Sequence, residues 1–155
     1  LKKIKIRYKK FDKELPALFR EHDGNAGFDL FARLDSPIYL NPGDVGFIPL
    51  NVATEIPLNV VGLVFQRSST FRKWGIKLTN GVGVIDSSYR GDKDEWGAEF
   101  KNETDKQIEI KNGDKICQAV FLPLIPLELE EVDILNNPDR GGFGTSFDNY
   151  KKRKS

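Results

Sequence analysis

The run Gly81-Val82-Gly83-Val84-Ile85-Asp86-Ser87-Ser88-Tyr89-Arg90-Gly91 sets one carboxylate and one aromatic ring among glycines and short apolar stretches. The pattern predicts a β-hairpin with Asp86 at its tip, between two apolar strands. The glycines let backbone come close to something flat, because they carry no Cβ. An acid fixed there has the makings of a general base, with Tyr89 beside it as a packing surface. The plainer alternative is a surface turn in which Asp86 only closes an Asx-turn.

Two further strings bear on anions. Gln66-Arg67-Ser68-Ser69 leads into Thr70-Phe71-Arg72-Lys73-Trp74-Gly75, which predicts a short helix with serines able to cap its start and glycine past its end. A helix start directly after Arg67 would gather N–H groups, hydroxyls and a guanidinium where a phosphate oxygen needs them; an ordinary capped turn with a surface arginine has the same string. Near the other end, Arg140-Gly141-Gly142-Phe143-Gly144 cannot form a core strand and reads as a flexible arm. A phenylalanine and an arginine on such an arm suit a flat, anionic ligand over which the arm orders. A disordered tail is the alternative.

Apolar residues elsewhere recur with period two in short runs separated by Gly, Pro and Asn turns, which predicts an all-β sandwich or barrel. Strands are expected at Ile4 to Tyr8, Ile38 to Leu40, Val60 to Phe65, Ile76 to Leu78, Trp96 to Phe100, Ile108 to Ile110, Ile116 to Leu122 and Leu127 to Val132. Leu15, Leu18 and Phe19 have helical spacing. The 155 residues suffice for one domain, read as a β domain over 1–135 followed by the glycine-rich arm and basic tail over 136–155.

A net charge of +1 argues against a global field for nucleic acid, and the basic ends read as solvated tails. One cysteine, Cys117, excludes an internal disulfide and fits a reducing compartment; one histidine, His22, removes most metal sites built on nitrogen or sulfur. No run approaches the length of a membrane span, so a soluble, cytoplasmic protein is expected.

Taken in order, five stretches resemble the five motifs of the trimeric dUTP diphosphatases, the dUTPases. They are Ala26-Gly27-Phe28-Asp29-Leu30-Phe31-Ala32, Gln66-Arg67-Ser68-Ser69, the segment 80–91, Gly113-Asp114-Lys115-Ile116-Cys117-Gln118, and Arg140-Gly141-Gly142-Phe143-Gly144-Thr145-Ser146. The likeness is greatest to the enzymes of Gram-positive bacteria and their phages. It implies a distorted jelly roll of the β-clip kind, a homotrimer with shared active sites, and an arm supplied by a neighbouring subunit. It also implies water attack on the α-phosphorus of dUTP, giving dUMP and pyrophosphate, with Asp86 as base.

The same resemblance assigns phosphate oxygens to Arg67, Ser68, Ser69 and Gln118. It assigns uracil to backbone around Asn80, Gly83, Val84 and Ile85, deoxyribose to Tyr89, and closure over the base to Phe143, with Arg140, Gly144 and Thr145 also touching substrate. Mg²⁺ would be held by the phosphates and water, with no direct protein ligand; Asp29 lies near those waters or is structural. Differences from the common pattern are Gln66, Ser69, Ser88, an insertion at Asp92-Lys93-Asp94-Glu95, and Phe147.

Two alternatives follow from the same residues. Arg67-Ser68-Ser69 with Arg72, and Glu99-Phe100-Lys101-Asn102, are similar to strings in dCTP deaminases, where Glu99 would be the acid/base of a deaminase or bifunctional enzyme. A phage-encoded member could instead use the scaffold to bind a regulatory protein partner.

Overall fold

Alternation along β6 (Val60–Gln66) separates an inward row, Val60, Gly62 and Val64, from an outward row, Val61, Leu63 and Phe65. That period of two organises the whole chain. The computed structural model describes residues 3–142 and 152. Strands β1 (Arg7–Lys10), β2 (Phe28–Phe31), β3 (Ile38–Leu40), β4 (Val45–Pro49) and β5 (Val52–Glu55) precede β6. After it come helix α1 (Thr70–Trp74), β7 (Ile76–Leu78), β8 (Gly83–Ile85), β9 (Gly97–Asn102), β10 (Ile108–Ile110) and β11 (Lys115–Pro123).

A four-stranded sheet in the order β2-β11-β6-β8 packs over a three-stranded sheet β4-β9-β7, with the pairs β1-β5 and β10-β3 completing the layers. Pairing is antiparallel throughout, and neighbours in a sheet are rarely neighbours in sequence, which is the jelly-roll manner of joining two layers. Leu30, Ile48, Val64, Ile76, Trp96, Phe100 and Ile116 fill the space between them. Trp96 is fully buried, and its indole N–H donates to Thr54 Oγ1 at 3.2 Å, so the ring is placed without an orphaned donor. Cys117 is a free, buried thiol whose pKa burial pushes up, as expected of an inert core residue. No helix among the described residues is long and apolar enough to cross a membrane.

Several sequence expectations are corrected. Residues 15–19 are not helical: Leu18 sits at φ +49°, and Phe19 instead exchanges backbone hydrogen bonds with Asp29 at 3.2 and 2.7 Å. The carbonyls of Leu15 and Pro16 accept from the amide of Asn51 (3.3 and 3.5 Å), so they do not serve a helix. Leu127 to Val132 forms no strand in the single chain, because no sheet edge of that chain receives it; Leu127 and Leu129 are exposed. The segment around Asp86 is not a hairpin. Residues 79–82 carry the chain from β7 in one sheet to β8 in the other, and no strand follows Asp86 until β9.

Helix α1 is as short as expected, but Ser69 at its N-cap makes no side-chain cap. Thr70 anchors the helix start in another way: its hydroxyl accepts from the Arg67 N–H, ahead of the helix, at 3.0 Å and donates to the Ile116 carbonyl at 2.9 Å, tying the helix start to β11. Gly75 ends the helix at φ +66°, and a Cβ there would collide with Thr104.

Asn51, fully buried at φ +65°, stitches the N-terminal segment to the core. Its amide oxygen accepts from Phe11 N–H (3.1 Å) and Asp12 N–H (2.7 Å), and its NH₂ donates to the Asp12 carbonyl at 3.0 Å. Asn51→Ala would leave these part-buried groups without their protein partner and place alanine at a positive φ. Urea unfolding is expected to show a loss of about 2–4 kcal/mol, while an unchanged midpoint would place those groups in contact with solvent.

Candidate functional site

Strand β11 lies between β2 and β6, and its register sets Gln118 opposite Asp29 on one side and Phe65 on the other. Paired residues share a face, so Asp29 and Gln118 stand together on the outward surface of the four-stranded sheet. Asp29 accepts from Arg67 Nε at 2.8 Å through one oxygen and faces Lys115 Nζ at 3.5 Å through the other. Gln118 Nε2 donates to the Gln66 carbonyl at 3.3 Å, next to Arg67. Gly27 lies close under Gln118, and a Cβ there would push the Gln118 amide aside. Arg67, held by Asp29, and the exposed Ser68 and Ser69 close this end, with Arg67 Nη1 3.4 Å from Ser69 Oγ. The structure therefore joins Asp29, Arg67, Ser68, Ser69 and Gln118 into one polar, cationic corner. Such a corner can hold an anion such as a phosphate.

Asp86 belongs to a second group. It follows β8 and is exposed; its Oδ1 accepts from Ser88 N–H at 2.8 Å and from Ser88 Oγ–H at 2.5 Å. The Ser88 hydroxyl, then its backbone N–H, holds this carboxyl below the usual carboxylate range, so it is ionised at neutral pH. The Asx-turn weighed for Asp86 is thus present, and it leaves Oδ2 open. Tyr89 donates its N–H to the Asp86 carbonyl at 3.3 Å and its hydroxyl to the Glu95 carbonyl at 2.8 Å. Burial, then the Asp94 and Glu95 carboxylates, pushes the phenol up, so it stays protonated as a donor.

Asn80 and Gly83 line a cavity of about 310 Å³ with Phe47, Val64, Leu78, Thr79, Gly97, Ala98 and Glu99. Glu99 is tied there by the Thr79 hydroxyl at 2.8 Å. Because β8 is the edge of its sheet, the backbone of Gly83, Val84 and Ile85 has one side free of any neighbouring strand.

The two groups do not meet within one chain. Val84 pairs with Leu63, so Asp86, two residues on, lies beside Val61, whereas Gln118 pairs with Phe65 and Arg67 lies two residues beyond that. From Val61 to Phe65 is about 13 Å along the strand, and from β8 to β11 about 10 Å across it. Between these polar ends runs an apolar outward row: Val61, Leu63, Val84, Val120 and Leu122, with Val84 66% exposed. Arg140 is exposed and outside regular structure; Phe143, Gly144 and Thr145 lie outside the described residues.

Sequence reasoning missed Thr70, Ser88, Glu95 and Lys115 as parts of this site. Each acts by tying a singled-out residue in place, and only Ser88, two residues from Asp86 and so within Asx-turn reach, left a local signal. No group of three or more His, Cys, Asp or Glu among the described residues could hold a metal ion.

The fold and site define a jelly roll with a polar, cationic corner and a separate exposed acid. The dUTPase family model matches residues 13–147, and the chain belongs to that family. It is 41% identical over 147 residues to the deoxyuridine 5′-triphosphate nucleotidohydrolase of Desulfitobacterium hafniense strain DSM 10664, covering 93% of this chain and 95% of that one. The crystal structure of the dUTPase from Streptococcus mutans superposes with a TM-score of 0.68 at 28% identity, covering 78% of this chain and 98% of that one. A mutant dUTPase from phage phi11 of S. aureus has a TM-score of 0.74 at 23% identity, covers 86% of this chain and 100% of its own, and reveals the coordination of a structural Mg(II) ion.

Removing the Ser88 hydroxyl removes the first cause of the low Asp86 pKa. In Ser88→Ala the Asp86 carboxyl, followed by NMR against pH, is expected to titrate at higher pH than in the wild type and closer to an ordinary carboxylate. A midpoint that does not move would assign the depression to the backbone alone.

Proposed function

We propose that the chain hydrolyses dUTP to dUMP and pyrophosphate, in a site completed by a second copy of itself. The observation that carries this reading is the outward face of the four-stranded sheet, with a phosphate corner at one end, an ionised acid at the other and apolar residues between. A base must sit within about 3 Å of the water it activates. Asp86 is too far from Arg67 and Gln118 of its own chain to act on a phosphate they hold. An exposed apolar row of this kind marks an interface, and packing the row against a different surface of another copy, head to tail around a closed ring, brings unlike ends of neighbouring chains together. The exposed Ile125, Leu127 and Leu129 are further apolar surface awaiting a neighbour. A homotrimer accounts for both features.

In the proposed reaction Asp86, ionised and steadied by Ser88, accepts the proton of a water as its oxygen attacks the α-phosphorus, and pyrophosphate leaves. Gln118, Arg67, Ser68 and Ser69 of the other copy hold phosphate oxygens and keep the leaving group in line. The free side of β8 near Asn80, Gly83, Val84 and Ile85 pairs with the polar edge of uracil, as one more strand would. Cytosine reverses part of that donor and acceptor order and leaves buried groups unpaired. Tyr89 packs where a ribose 2′-hydroxyl would stand. Arg140, Phe143, Gly144 and Thr145 cover the bound nucleotide.

Mg²⁺ carried by the triphosphate neutralises its charge. Asp29 would accept hydrogen bonds from the waters of that ion. The deaminase reading of Glu99 is not favoured, since the matching family is the dUTPases. A buried free thiol and the absence of a membrane-spanning helix among the described residues suit a cytoplasmic enzyme.

Asp86→Asn is expected to bind dUTP and lose turnover by roughly 10²-fold or more. Arg67→Gln should also be nearly inactive. Co-expression of the two variants tests the shared site, because mixed assemblies pair an intact Asp86 from one copy with an intact Arg67 from another. Recovery of pyrophosphate release well above either parent is expected; none would mean that each chain houses its own complete site.

A further inference from the structure

Tyr89 is held at both ends, and the second tether leads away from the site. Its hydroxyl donates to the main-chain carbonyl of Glu95, the last residue of the inserted Asp92-Lys93-Asp94-Glu95 turn. The Glu95 side chain is gripped in turn. Arg33 donates to both of its oxygens, at 2.5 and 2.6 Å, and the Asn51 N–H donates to one of them at 3.2 Å. Arg33 is itself anchored, since its N–H donates to the Pro49 carbonyl at 2.9 Å and its guanidinium lies 5.6 Å from the centre of the Phe11 ring. On the far side of Glu95, Trp96 is fixed in the core by backbone bonds to Val52 and Leu50, both 2.8 Å. Within the turn, Gly91 N–H donates to Asp94 Oδ2 at 2.7 Å.

We propose that the Arg33–Glu95 ion pair positions Tyr89, fixing the carbonyl that holds the phenol and so setting the ring against the sugar. The ring lies partly exposed at the surface, and its hydroxyl is tied to the Glu95 carbonyl. Without the tether the ring can turn about χ1 and leave room for a 2′-hydroxyl. Arg33 and Glu95 are positioning residues in this scheme, and sugar choice is their function. The proposal rests on the reading that the site takes a deoxyribonucleotide.

The test compares kcat/KM for dUTP and UTP, with melting temperature, in Tyr89→Phe, Arg33→Gln, Arg33→Lys and the double variant Tyr89→Phe with Arg33→Gln. Tyr89→Phe removes only the tether. It is expected to lower the dUTP to UTP ratio by up to about tenfold, the span covered by one neutral hydrogen bond, with little change in melting. Arg33→Gln should lower the ratio by a similar factor and lower the melting temperature as well; Arg33→Lys should restore part of both. The double variant should lose no more discrimination than the larger single loss, because both changes cut one path.

A wild-type ratio in Tyr89→Phe overturns the proposal, as does a wild-type ratio in Arg33→Gln that melts early, or losses that multiply in the double variant. If Arg33→Gln does not fold, Arg33→Lys takes its place in each comparison. Amide exchange at Tyr89 and Gly91 without nucleotide separates the two levels of the argument. Faster exchange in the Arg33 variant with unaltered sugar choice overturns the positioning role alone, whereas a wild type that cleaves no dUTP overturns the underlying reading and the proposal with it.

Discussion

The site depends on the pairing of β11 with β2 on one side and β6 on the other. Three stretches far apart in sequence, around Asp29, Arg67 and Gln118, become neighbours only because their strands lie side by side in one register. A slip of one residue would turn Gln118 into the core and bring Cys117 or Ala119 out, so the buried thiol and the exposed amide enforce each other's placement. The fully buried Cys117 and Ala119 fix which face of β11 is inward, the register shifts between Lys115 and Cys117, and the Thr70 hydroxyl on the Ile116 carbonyl ties α1 to the start of this strand.

The same sheet separates packed from exposed apolar residues by parity. On β8, Ile85 packs inward, Val84 projects outward, and the main chain has one side free of any strand. A three-residue strand thus presents three surfaces: one packed on the core, one apolar and exposed, and one of main chain free of any strand among the described residues. Long-range polar ties do the remaining positioning, with Asn51 and Glu95 each reaching more than thirty residues away in sequence.

The fold was legible where burial and period two coincide. Val60 to Phe65, Ile76 to Leu78 and Ile116 to Leu122 announce themselves because one face of each strand is packed. Leu127 to Val132 carries an apolar pattern without a partner in its own chain, and pattern alone cannot tell which molecule supplies the edge. Leu15, Leu18 and Phe19 have helical spacing, but the Asn51 amide takes the local carbonyls, a contact between distant residues that no window reveals. In the site, the reactive types were visible and their fasteners were not. Thr70, Lys115 and Glu95 look like any other polar residues until the register brings them to Arg67, Asp29 and Tyr89. The supposed hairpin at Asp86 failed for a related reason: its two strands are adjacent in sequence and lie in different layers.

Asp29 engages Arg67 through Nε, the one guanidinium nitrogen bonded to the side-chain stem. Nη1 reaches Ser69 Oγ at 3.4 Å, and Lys115 on the other carboxylate oxygen keeps the corner net positive. An arginine waiting free in solvent would have to give up its rotamer freedom when an anion arrived, a cost of roughly 2 kcal/mol for so long a side chain. Here that entropy is surrendered when the sheet forms, long before any phosphate is met. The corner is therefore stiff as well as charged, and an anion entering it meets donors that need not rearrange.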